Sequence, residues 1–175
     1  MSPGDPAAPA ARHDLRLDDL AALAAALRSA EQPPRIFAAV EALTAKAIGH
    51  RLFTIMRFDP ERAEVERVHS SLPAVYPVGG RKTKAQTAWA DHVLGEMKVF
   101  RATTPDEIRA AFDDHATITG LGLGAILNIP LVLAGRCVGT MNLLHQAGWY
   151  TPQDEPAGLL LGAFLLPALA QRPIA

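Results

Sequence analysis

One stretch of this chain constrains its fold more than any other: GLGAILNIPLVLAGRCVGTMNLL, beginning at Gly122. Two strongly apolar runs flank Ala134-Gly135-Arg136. Apolar, β-rich segments on either side of a short glycine-containing loop predict an antiparallel hairpin. The hairpin is too hydrophobic for a sheet edge, so it is expected in the middle of a sheet. Two amides, Asn128 and Asn142, stand in it where apolar side chains would be expected.

Side chains alternate faces along a strand. Ala125, Leu127, Ile129, Leu131 and Leu133 therefore form an unbroken apolar face, and Ile126, Asn128, Pro130 and Val132 form the other. On the returning strand Met141 and Leu143 match the apolar face, while Val138, Thr140, Asn142 and Leu144 point the opposite way. Asn128, Thr140 and Asn142 thus collect on one face. A buried amide without a partner costs roughly 1–3 kcal/mol, so these groups need a ligand, water or loop backbone. By the same alternation Cys137 falls with Met141 and Leu143, away from the polar face, and reads as a buried small apolar residue rather than a nucleophile.

The chain of 175 residues fits one domain with a sizeable core. Residues 1–13, rich in Pro, Ala and Gly, are expected to be a disordered tail, and 14–175 a single domain. Leucines among alanines predict a helix over 15–28, and Pro33-Pro34 opens a second that carries Ile36, Phe37, Val40, Leu43 and Ala47 before Gly49. Residues 51–58 and 63–71 read as strands around the Asp59-Pro60-Glu61-Arg62 turn, and 72–82 as a loop. A helix is expected from Thr83 or Lys84 to Met97, carrying Trp89 and Val93, then a short strand over 98–102. Thr104-Pro105-Asp106-Glu107 is a strong helix start, with a short helical piece to follow from His115 to Thr119. A last helix begins near Pro152 and carries Leu159, Leu160, Phe164, Leu165 and Leu169. Hairpin-linked strands with helices at the chain ends and in one insertion give an α+β fold on an antiparallel sheet.

A net charge of −1 offers no basic surface for nucleic acid, and Arg81, Lys82 and Lys84 read as a solvated loop. One cysteine allows no internal disulfide, which suits a reducing, cytoplasmic setting. No secretory pattern opens the chain, and no apolar run reaches the roughly 18 residues that span a bilayer; the nearest, 157–170, holds Pro167. His69, His92, His115 and His145 are scattered, so no metal site is expected, and His92 with Glu96 reads as an exposed helical pair.

The combination of Ala125-Ile126-Leu127-Asn128-Ile129-Pro130-Leu131, then Gly135, Gly139 and Leu143, then Tyr150-Thr151-Pro152-Gln153-Asp154 ahead of a terminal helix resembles a GAF domain, over residues 36–170. Tyr150 stands where Phe is usual in that family. The resemblance implies a GAF-like, profilin-like antiparallel sheet. Terminal helices would cover one face, and middle helices and loops would close a small-molecule pocket on the other. It also implies homodimerisation through the terminal helices. The expected role is non-catalytic sensing of a small polar metabolite, with no cofactor. Asn128, Asn142 and Thr140 would orient the ligand, Tyr76 and Trp89 would wall it, Arg101 would clamp an anion, and His115 would stand in the insertion beside Asp113 and Asp114. A purely structural dimerisation module is the alternative. The free methionine-(R)-sulfoxide reductases also resemble this chain in being single GAF domains. They place reactive cysteines in the insertion, and carboxylates at positions that here read Ile126, Asn142 and Leu144. Residues 115–124 hold no cysteine, so that chemistry is not expected.

Overall fold

A computed structural model describes residues 13–83 and 87–170, so the expected tail lies, apart from His13, outside the described residues. Six antiparallel strands form one sheet in the order β3-β2-β1-β6-β5-β4. They are β1 (Leu52–Asp59), β2 (Glu64–Ser70), β3 (Arg81–Thr83), β4 (Phe100–Ala102), β5 (Ala125–Leu133) and β6 (Arg136–His145). The helices are α1 (Leu17–Leu27), α2 (Pro34–Ala47), α3 (Ala88–Ala90), α4 (Pro105–Ala111), α5 (His115–Gly120), α6 (Glu155–Ala163) and α7 (Leu166–Ala170). The α+β architecture expected from the sequence is therefore the one observed.

The β5–β6 hairpin lies inside the sheet, with β6 between β1 and β5 and only the three-residue β4 beyond. Its loop is tighter than expected. Leu133 pairs with Arg136, leaving Ala134 and Gly135 as the turn, both in the left-handed region at φ 50° and 74°. Leu133, assigned to the apolar face, is exposed at the strand end. The expected loop over 72–82 ends in the short edge strand β3, paired to β2 through Val65 and Lys82.

One side of the sheet carries the main core. Phe53, Ile55, Leu127, Ile129, Met141 and Leu143 pack beneath α2, α6 and α7, and α1 adds Leu23 and Ala26 from outside α2. The face of α6 that meets β5 is cut small. A Cβ at Gly158 would stand 2.7 Å from Ile129 Cδ1, and one at Gly162 2.8 Å from Leu131 Cδ2. Glycine at both positions lets the helix lie close on the strand.

The other side is covered by α3, α4 and α5. Thr87 caps α3, its hydroxyl accepting from the Ala90 amide at 3.1 Å. The helix widens at once into a π-turn over Asp91–Gly95, shorter than the helix the spacing suggests. The His92 imidazole meets the Val99 carbonyl at 3.0 Å, and Glu96 pairs with Lys98 at 2.7 Å. At α4 the Thr104 hydroxyl accepts from the Glu107 amide, and the Glu107 carboxylate accepts from the Thr104 amide, as the sequence predicts.

Two β-bulges alter the alternation. In β2, Ile55 faces His69 but Met56 faces Arg67, so Val68 is an extra residue. In β6, Leu131 faces Gly139 but Val132 faces Cys137, so Val138 is extra. An inserted residue reverses which face the following side chains occupy. Val68 and Val138 therefore pack on the main core. Cys137, expected beside Met141 and Leu143, turns instead to the α3 side, among Val65, Trp89, Ala90, Val93 and Leu94.

Candidate functional site

The α3–α5 side holds two apolar clusters. One gathers Leu52, Tyr76, Ile118, Ile126 and Leu144, and the other lies around Trp89 and Val93. Where they meet, a cavity of about 80 Å³ opens over the middle of the sheet. Its floor is a row of polar side chains from three adjacent strands. Asn128 on β5 lies directly opposite Asn142 on β6, which lies opposite Thr54 on β1. The side chains form a chain of hydrogen bonds along that row. The Trp89 indole donates to Asn128 Oδ1 at 2.8 Å, Asn128 Nδ2 donates to Asn142 Oδ1 at 2.8 Å, and Asn142 Nδ2 donates to Thr54 Oγ1 at 3.2 Å. Both amides are buried. Each spends one of its two N–H groups in the chain, and each oxygen keeps a lone pair. The floor is thus internally satisfied while still able to receive and donate further bonds.

The overlying partner of the amides is the Trp89 side chain rather than loop backbone. Leu52, Met56, Phe112, Ile118, Ile126 and Leu144 supply apolar walls. Arg67, Tyr76, Lys82 and Asp114 complete the lining. Arg67, opposite Met56 on β1, points to this face. Residues 77–80 then clamp it: its amide donates to the Gly80 carbonyl at 2.8 Å, its carbonyl accepts from the Gly79 amide at 2.7 Å, and Nη1 donates to the Pro77 carbonyl at 3.2 Å. The guanidinium carbon sits 5.0 Å from the centre of the Tyr76 ring. Burial lowers the pKa of Arg67, which nonetheless stays charged. Lys82 on β3 reaches Asp114 at 3.2 Å, bridging the sheet edge to the start of α5. Burial first, and the Asp114 charge second, push the Tyr76 phenol up to about 12, so at neutral pH it is protonated. The hydroxyl is close enough to feel Asp114, yet it makes no well-formed hydrogen bond with it.

Asn128, Asn142, Tyr76 and Trp89, expected from the sequence as ligand contacts, come together around this one cavity. Thr140 shares their face but lies outside the lining, opposite Pro130 and Met56, with its hydroxyl buried and unpartnered. Arg101 is placed elsewhere. It lies opposite Leu127 and therefore faces the terminal helices, where Nε meets Glu155 at 3.3 Å, while Phe100 takes the cavity side. His115 does not line the cavity either; the preceding Asp114 takes the inward position at the start of α5. Thr54, Arg67, Lys82 and Asp114 were not anticipated. Alternation along residues 51–58 places Thr54 with Leu52 and Met56, so that signal existed. Arg67 had one as well, since the unbroken register from the β1–β2 turn sets it opposite Met56, on the face of Thr54.

Among the described residues, Cys137 does not line the cavity. The Cys137 thiol is buried under α3, its pKa raised by that burial, and it lies 3.3 Å from the Gly139 carbonyl. Among the described residues no group of three or more His, Cys, Asp or Glu converges on a common point. No helix among them is long and apolar enough to cross a membrane.

No family model and no curated protein matches this chain. Solved structures do. The GAF domain of a phosphoenolpyruvate-protein phosphotransferase from Coxiella burnetii is similar with a TM-score of 0.72 at 13% identity, over 88% of this chain and 92% of that one. The phycocyanobilin-bound GAF domain of a cyanobacterial phytochrome is similar with a TM-score of 0.66 at 18% identity, over 91% of this chain and 96% of that one. The GAF domain/HD domain protein from Geobacter sulfurreducens gives a TM-score of 0.64 at 13% identity, over 77% and 89%. At such identities the likeness is one of fold, and it agrees with the sheet and the two helical layers described above. The chain has the GAF-domain fold.

Proposed function

We propose that this chain is a non-catalytic sensing module that takes a small polar molecule into the cavity between the sheet and α3–α5. The observation that carries this reading is the Trp89–Asn128–Asn142–Thr54 row. Three strands and a helix aim hydrogen-bonding groups into one apolar-walled hollow. Concave sites with a few placed polar groups among apolar walls are the usual form of small-molecule sites. At about 80 Å³ the hollow suits a compact molecule, far smaller than the bilin bound by the phytochrome relative. Signalling follows by population shift: a ligand seated on the row favours the state in which residues 72–80 and the Lys82–Asp114 bridge are closed over it.

Thermal-shift screening of the chain against a library of small metabolites tests this. A binding compound at about 100-fold excess over its Kd should stabilise by roughly 2.7 kcal/mol. The double variant Asn128→Leu with Asn142→Leu should lose that stabilisation. Undiminished binding by the double variant would show that the amides are not the site.

A second, compatible reading is homodimerisation through the terminal helices. It is favoured by Leu17 on α1 and by Leu159 and Leu160 on α6, which remain 80%, 49% and 42% exposed.

A further inference from the structure

The polar groups of the cavity fall into two sets. Arg67, Tyr76, Lys82 and Asp114 gather on one flank, from β2, the loop after it, β3 and the start of α5. There they answer one another. Lys82 pairs with Asp114 at 3.2 Å, the Asp114 charge acts on both Arg67 and the Tyr76 phenol, and Arg67 is held on the Pro77 carbonyl beside the Tyr76 ring. The second set is the row itself. It crosses β1, β6 and β5 to Trp89 and carries no charge.

The row has a fixed direction. An indole N–H can only donate, so the Asn128 oxygen must face Trp89 and its nitrogen Asn142. That orients Asn142 in turn, oxygen toward Asn128 and nitrogen toward Thr54. After these bonds each amide retains one N–H and one oxygen lone pair. Both are more than nine-tenths buried, and both line the hollow. The floor thus offers donors and acceptors side by side with no net charge. An anion seated there would set its oxygens against the two amide oxygens, and a cation its N–H groups against the two amide nitrogens. A planar neutral group with an acceptor edge and a donor edge meets both kinds of site.

Resting on the cavity being a ligand site, we infer that its ligand is a small neutral carboxamide. Its carbonyl oxygen accepts from the retained N–H groups of Asn128 and Asn142, and its own N–H donates to their oxygens. Its apolar remainder lies against Ile118, Ile126 and Leu144.

The test uses the full chain with acetamide and propionamide. Acetate and acetamidinium are the matched anion and cation, and acetone matches acetamide in shape but lacks the donor. Binding is read by thermal shift and by the side-chain signals in proton–nitrogen correlation spectra. The amides should bind about tenfold or more tightly than acetate, acetamidinium or acetone, since each of these leaves a buried group of the floor unmet. Asn142→Leu should abolish amide binding. The unmutated protein gives a second readout that no folding defect can obscure: the Asn128 and Asn142 carboxamide signals should move on titration with acetamide. Acetate, acetamidinium or acetone binding as tightly as acetamide, with those signals moving, would overturn the carboxamide assignment and leave the cavity reading standing. Acetamide binding while those signals stand still would overturn it as well. No binding by any probe would count against both.

Discussion

At the scale of single residues, Trp89 links the two roles of the α3 side. Its ring closes an apolar cluster with Val93 and Cys137, and its indole N–H satisfies the first amide of the buried row. Replacing it with Phe keeps most of the apolar surface and removes the donor. Trp89→Phe should therefore cost about 1–3 kcal/mol, the price of a buried acceptor left short of a partner. Urea unfolding with an unchanged denaturant slope measures this. Combining it with Asn128→Leu should cost less than the two changes added, since they share one hydrogen bond. Strict additivity would mean that the bond contributes nothing. The same row shows why these amides were conspicuous in the sequence. Matching the apolar faces of the two strands sets Asn128 and Asn142 on one side, and their direct pairing depends on the extra residue Val138, since the two-residue turn alone would set Asn128 opposite Met141.

At the scale of elements, turns and bulges decide what alternation cannot. The Ala134-Gly135 turn places a non-glycine residue in the left-handed region, which costs an L-residue roughly 1–2 kcal/mol. Asparagine tolerates that conformation and is favoured in such hairpin turns. Ala134→Asn should therefore raise stability by about 0.5–1 kcal/mol without altering the site, as a denaturant midpoint shift would show. The bulges at Val68 and Val138 carry the opposite lesson. Strands, helix starts and the polar face were legible because period and capping chemistry are local. The inward turn of Cys137 was not, because one inserted residue reverses the parity of a strand and leaves no mark in its composition. Lys82 went unread for a different reason. As one of several cations in a loop it looks solvated, and only its pairing with Val65 across β2–β3 and with Asp114 from α5 brings it to the cavity mouth.

At the scale of the whole molecule, the sheet separates two jobs. One side is a continuous core under α2, α6 and α7. The other is divided into two clusters with a polar hollow between them. The exposed leucines of α6 lie on the outer surface of the first layer, away from the hollow, so association through them leaves the site open. Leu159→Glu with Leu160→Glu should convert a dimer to a monomer in sedimentation analysis while leaving ligand-induced thermal shifts intact; an unchanged sedimentation coefficient would place any association elsewhere. The central claim is that the amide row is enclosed and is the surface a ligand meets. Proton–nitrogen correlation spectra of the side-chain amides test it most directly. The Asn128 and Asn142 carboxamide and Trp89 indole signals should exchange slowly with water in the free protein and shift together on addition of a stabilising ligand. Rapid exchange of these signals, or their standing still while ligand binds, would contradict the account.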